Sequence, residues 1–216
     1  MSVNKNVTVP AGRSVRTVVS YRLRGVQVGE ITPGLWRWTA RHPAWTPAEE
    51  GEWEPDVGCV YAEIDCRIVL IDPLVPAESE RFWAALDRDV GRLGTPVVLT
   101  TTVDHARSSE KIIDRYGDGG LPSDGVTRIA TALHGEVVFW LAPYRALVPG
   151  DVLLGDGTGR VRVCPDSWLE GADRTSVWAS LRPLLGLPVE RILVSHGEPV
   201  LTNGLAALER ALRDQR

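Results

Sequence analysis

The sequence predicts an α/β fold, an αββα sandwich of two mixed β-sheets with helices on the outer faces. Three observations carry this. Strand-like apolar runs alternate with helical periods in the first and last thirds of the chain. A meander of short strand-like runs, VTRIATAL, EVVFWL and RALV, lies between them. Helices with one apolar face and strands that are apolar throughout both need covering layers, and a four-layer sandwich supplies them.

Each element has its own signal. Residues 1–25 lack a period and are expected to form a loosely ordered N-terminal arm, leaving 26–216 as a single domain. From Val26 the pattern turns β-like, with Leu35-Trp36-Arg37-Trp38 alternating. A loop rich in Pro, Trp and Glu follows, then two strands, CVYAEID and RIVLID, joined at Cys66-Arg67. The second ends at Asp72-Pro73, because proline cannot continue a central strand. Pro76 to Gly94 reads as a helix with Phe82, Leu86, Val90 and Leu93 on one face and a glycine at its C-cap. PVVLT is a short buried strand, and Ser108 to Tyr116 a helix with Ile112, Ile113 and Tyr116 inward. After the meander, VRVC is a further candidate strand, 173–186 a helix, RILVS a strand and Asn203 to Arg213 a closing helix capped by Asn203.

Composition bounds the function. The 216 residues are 44% hydrophobic and 24% charged, an ordinary globular balance. A formal net charge of −4 with no basic run gives no footprint for nucleic acid or an acidic membrane. No window approaches the ~18–20 apolar residues of a membrane span, and MSVNKNVTVPAGRSVR lacks the apolar core of a signal peptide. Cys59, Cys66 and Cys164 are scattered, with no CxxC pair, which fits a reducing cytoplasm. Lys is nearly absent and Arg abundant, which reads as a high-GC bacterial coding bias.

Polar residues gather at strand ends. Asp104-His105 leaves PVVLT, Asp151 leaves RALV, and His196 leaves RILVS. In layered α/β folds that edge is where sites are built. Antiparallel pairing of EVVFWL with RALV places His134 and Glu136 near Asp151. Two carboxylates packed together repel, and a divalent cation removes the conflict. Two imidazoles with two carboxylates suit Zn²⁺, Fe²⁺ or Mn²⁺ better than Ca²⁺ or Mg²⁺. Blander roles fit each residue singly: Asp104 as a cap for the following helix, Asp151 as a turn residue, His134 at a hairpin edge. Trp36 or Trp38 belongs in the core, while Trp45 and Trp53 lie in a loop where they can line a pocket, with His42 at its mouth.

In this order and context the motifs resemble the metallo-β-lactamase fold superfamily. Its first motif, His-x-His-x-Asp-His after an apolar strand, falls on Thr100, Thr102, Asp104 and His105. Its next histidine loop matches TALHGEVVFWL, with a ligand position near Ala132 and Glu136 at a second histidine. Asp151 in PGD matches the bridging aspartate, His196 in SHGEPV the last histidine, and LIDPL, with Asp72, the family's LIDTG-like strand end. The resemblance runs from about Leu35 to the C-terminus. It implies a metallo-β-lactamase-like sandwich. It also implies that the three histidines of a first metal are replaced, while Asp104, His105, Asp151 and His196 retain the second metal's ligands.

Two readings follow. In one, a single divalent metal ion, Zn or alternatively Fe or Mn, activates a water against an ester, thioester, lactone or similar bond of a small-molecule substrate. Asp104 or Asp151 then takes the proton, and Thr100, Thr102, His134, Glu136 and Asp72 line the site. In the other, the site has lost its metals and the domain binds a ligand or partner without catalysis.

Overall fold

The computed structural model describes residues 20–23, 26–49, 53–120, 124–169 and 171–213. The alternation at Leu35–Arg41 becomes strand β3 of a six-stranded sheet. Its other strands are β1 Ser20–Leu23, β2 Val26–Thr32, β4 Asp56–Ile64, β5 Arg67–Ile71 and β6 Val97–Leu99. They lie in chain order, antiparallel up to β5, and β6 runs parallel to β5. The crossover between β5 and β6 is the helix α1, Glu80–Leu93, as a parallel pair requires. Of the arm expected over 1–25, Ser20–Leu23 forms the edge strand β1, and residues 1–19 and 24–25 lie outside the described residues.

The second sheet holds β7 Val126–Ala130, β8 Val137–Leu141, β9 Ala146–Val148 and later β12 Arg191–Ile192, in the order β12-β9-β8-β7. β12 is parallel to β9 and the other pairs are antiparallel. A small hairpin of β10 Leu153–Gly155 and β11 Val161–Val163 stands beside it. The remaining helices are α2 Ser109–Tyr116, α3 Arg174–Leu181 and α4 Gly204–Arg213.

Period-two alternation divides the core into three layers. On β4 and β5, Val60, Ala62, Ile64, Val69 and Ile71 face the second sheet, while Cys59, Tyr61, Ile68 and Leu70 face α1 and α2. On β8 and β9, Val137, Phe139, Leu141, Ala146 and Val148 face the first sheet, while Val138, Trp140 and Leu147 face α3 and α4. This is the expected four-layer sandwich with mixed sheets. Leu86 of α1 and Ile112 of α2 are buried against Trp38 and Leu70, on the faces the sequence assigned inward.

Boundaries shift where local chemistry intervenes. α1 starts at Glu80, not Pro76, and ends at Gly94, whose N–H reaches Val90 O at φ 83°. The helix expected over 173–186 is α-helical only to Leu181 and continues as a 3-10 turn, Arg182–Gly186, where Pro183 lacks the amide an α-helix would use. The strand RILVS shortens to Arg191–Ile192, although Leu193 N still bonds Leu147 O. VTRIATAL is a strand only to Ala130, since the chain then turns to bring Glu136 inward. Asn203 precedes α4 with left-handed backbone, φ 57°, and its carbonyl accepts from Ala207 N–H.

Candidate metal site

The ends of β6, β9 and β12 open on one cleft of about 330 Å³ between the two sheets. After β6 the chain makes a 3-10 turn, Val103–His105. Successive side chains of such a turn point about 120° apart. His105 therefore points inward and is buried, while Asp104 is exposed on the rim of the cleft. After β9, Pro149-Gly150 delivers Asp151, and after β12, Ser195 delivers His196.

Three ligand atoms converge: His105 Nε2, Asp151 Oδ1 and His196 Nε2 all lie within 4.8 Å of one another. Asp151 Oδ1 is 3.3 Å from the first nitrogen and 3.4 Å from the second. It is buried and makes no hydrogen bond. Ligand atoms ~2.0–2.1 Å from a tetrahedral ion lie roughly 3.3–3.4 Å from each other. The spacing, the borderline-soft N₂O donor set and the orphaned oxygen thus fit one divalent ion of the Zn, Fe or Mn kind. Asp104 is not in this group, so the structure brings together three of the four expected ligands.

A network behind His105 sets its orientation. Asp72, buried at the end of β5, has left-handed backbone, φ 50°. Its Oδ1 accepts from Thr101 N–H at 2.7 Å, and its Oδ2 accepts from Thr101 Oγ1 at 2.6 Å and from His105 Nδ1 at 3.0 Å. Thr101 Oγ1 also lies 2.9 Å from His105 Nδ1. With the Nδ1 proton held by Asp72, Nε2 faces Asp151 and would offer its lone pair to an ion that displaces its own proton. Burial opposes charge on His105, but the carboxylates of Asp151 and Asp72 outweigh it and raise its pKa to about 9. Burial likewise opposes charge on Asp151, and the two imidazoles outweigh it, holding its carboxyl well below the usual range.

Glu136 holds the Asp151 turn. Its carboxylate accepts from Asp151 N–H at 2.9 Å and Val152 N–H at 3.0 Å. Burial pushes Glu136 up to about 8. The hairpin register places it there: Phe139 pairs with Val148, so two residues on, Val137 stands near Gly150. The His196 turn is held from three sides. Ser195 O accepts from Gly58 N–H at 2.6 Å, His196 O from Gly155 N–H at 2.9 Å, and Val194 O and Gly197 O from Arg37 Nη2 at 3.1 Å. Arg107 ties the turns together, donating to Gly58 O, Asp72 O and Ser195 Oγ.

The other expected residues divide by place. Thr102 and His134 line the cleft, His134 exposed, while Thr100 is half-buried at the end of β6 and is not among the lining residues. Ala132 is exposed, and its N–H bonds Ser180 Oγ. Trp38 is core, its Nε1 on Leu74 O. Trp53 lines the cleft, and Trp45 supports it by donating Nε1–H to Trp53 O. Three residues escaped the sequence reading. Thr101 sits between two threonines and carries no signal of its own. Arg107 had a cue in its place just past Asp104-His105. Trp168 had one too, a tryptophan in a Pro-Asp-Ser-Trp turn just beyond a strand.

No protein family model matches the sequence, and no curated protein does. Solved structures do. A metallo-β-lactamase from Erythrobacter litoralis superposes with a TM-score of 0.58 at 14% identity, covering 91% of this chain and 94% of that one. TMB-1, studied for residues acting in substrate and inhibitor binding, also gives 0.58, at 11% identity over 88% and 97% of the two chains. The chain has the metallo-β-lactamase fold.

Proposed function

We propose that the chain is a metal-dependent hydrolase, with one divalent ion, zinc or alternatively iron or manganese, on His105, Asp151 and His196. The observation that carries this is the orphaned Asp151 Oδ1 set 3.3 and 3.4 Å from two imidazole nitrogens. When bound, such an ion supplies Lewis acidity toward a carbonyl and toward water. The chain's own groups do the rest. Asp72 and Thr101 hold the His105 tautomer, and Glu136 holds the Asp151 turn. Asp104, on the cleft rim outside the convergent group, accepts a proton from the attacking water. The bonds in question are ester, thioester, lactone or similar, in a small molecule. A bacterial cytoplasm is part of the same reading, supported by three free cysteines and an arginine-rich, lysine-poor composition. Among the described residues no helix is long and apolar enough to cross a membrane.

A second reading, a ligand-binding domain without catalysis, has one observation in its favour. Thr102 and Ala132 stand where the resemblance puts ligand histidines, and Thr100 does not reach the cleft. Metal analysis separates the two. Protein purified without chelator is expected to hold about one equivalent of Zn, Fe or Mn, lost in Asp151→Ala and His196→Ala. Hydrolysis of phenyl acetate is expected to stop with a chelator and return with Zn²⁺. Folded wild type that binds none of the three ions overturns the metal reading. Bound metal without hydrolysis of any ester or lactone leaves the binding domain.

A further inference from the structure

The walls of the cleft are aromatic and its one arginine is already engaged. Trp53, just before β4, and Trp168, in the 3-10 turn Asp166–Trp168, both line it and are half-buried. Their rings stand edge-on to His196 at 5.8 and 5.6 Å, with interplanar angles of 88° and 78°. Two flat apolar faces therefore flank one of the candidate ligands, in a cavity large enough for a benzene ring with substituents. Among the described lining residues, Arg107 carries the one permanent positive charge. Its Nη1 and Nη2 are engaged on Gly58 O, Asp72 O and Ser195 Oγ, and its Nε is buried. No guanidinium is left to meet a substrate, while Asp104, Glu136 and Asp151 supply carboxyl groups to the same cleft. An incoming carboxylate would leave water beside Asp104 on the rim with no free guanidinium to receive it.

We infer that the cleft takes an uncharged ester or lactone bearing an aromatic group, and discriminates against the same molecule carrying a carboxylate. Turnover of that substrate rests on the hydrolase reading, but its binding does not. The contacts that select are Trp53 and Trp168, and what disfavours the carboxylate is a cleft whose one arginine is already engaged and whose rim carries Asp104.

The test is a matched pair. Methyl 4-hydroxybenzoate and 4-hydroxybenzoate are titrated into the protein as purified, by calorimetry. Their acetate esters, methyl 4-acetoxybenzoate and 4-acetoxybenzoate, are then assayed, with rates normalised to the hydroxide reaction. The neutral member is expected to bind about tenfold more tightly and to show about tenfold higher kcat/KM. Trp168→Ala is expected to weaken the neutral ligand about fivefold, with Trp168→Phe retaining most of the affinity. Equal or tighter binding of the carboxylate, as through direct ligation of the ion, overturns the inference. So does Trp168→Ala together with Trp53→Ala leaving the neutral ligand's affinity unchanged. A binding preference without any turnover upholds the inference and sinks the hydrolase reading. Equal normalised hydrolysis of both esters does the reverse.

Discussion

Asp72 and His105 show how a single carboxylate decides what its neighbour can do. By accepting the Nδ1 proton it turns Nε2 toward Asp151, and in the chelator-treated protein it helps hold a charged ring in a buried place. That has a consequence for stability against pH. A His105 pKa raised to about 9 contributes stability that is complete below its ordinary 6.5 and is lost as pH rises through about 9. Glu136 is raised from 4.5 to about 8, so the cost of its buried charge grows as pH rises through that window. Asp151 runs the other way. Its depressed pKa contributes stability above the ordinary 3.8 that is lost as pH falls further. Chelated protein is therefore expected to be most stable at about pH 4–4.5 and to lose melting temperature progressively toward pH 9. Asp72→Asn should flatten the fall between pH 6.5 and 9, since it removes one of the carboxylates that raise His105. Thermal melts followed by circular dichroism across pH check this, and a melting temperature that climbs toward pH 9 contradicts it.

At the scale of elements, the site depends on how three strand ends are stopped. β6 ends in a 3-10 turn, β9 in Pro149-Gly150, and β12 in the clamped turn Ser195–His196. Gly150 is a joint with no room for a side chain. A Cβ there would stand 2.8 Å from Thr101 Oγ1 and 2.9 Å from Glu136 Cδ. Both neighbours are held by hydrogen bonds that orient His105 and Asp151. Gly150→Ala is expected to cost about 1–3 kcal/mol of stability by overpacking and to weaken metal binding. Chemical denaturation and a chelator competition measure the two effects separately. Metal affinity equal to wild type would show that the turns are not coupled in this way. Much of this scale was legible. The pairing of EVVFWL with RALV put Glu136 beside Asp151 by register alone. The phase of the turn after PVVLT was not legible, because only a 3-10 turn, not an extended exit, separates the directions of Asp104 and His105.

Across the whole molecule, the three converging groups come from chain segments far apart. His105 follows the first sheet, Asp151 and His196 the second. An ion held by all three would be bound by the folded chain and not by the unfolded one. Zn²⁺ at about a hundred times its Kd is then expected to add roughly 2.7 kcal/mol. For a chain of this length that is a rise in melting temperature of roughly 5–10 °C. Differential scanning fluorimetry with and without Zn²⁺ reads it, with Asp151→Ala as the unresponsive control. An equal rise in that variant would assign the effect to binding elsewhere.

By itself the sequence determined the layers and the neighbourhood. Period-two strands, period-3.6 helices and prolines at strand ends are local properties, so the sandwich and its strand edge could be read without coordinates. His105, Asp151 and His196 were legible for the same reason, since each directly follows an apolar strand. Only the tertiary structure decided which side chains face one point. It sent Asp104 to the rim, gave Thr101 and Arg107 their partners, and set Trp168 against His196. Those outcomes depend on turn phase and on contacts between residues far apart in the chain, as between His105 and His196, 91 positions apart. Local pattern carries no record of such distances, because packing between the two sheets sets them.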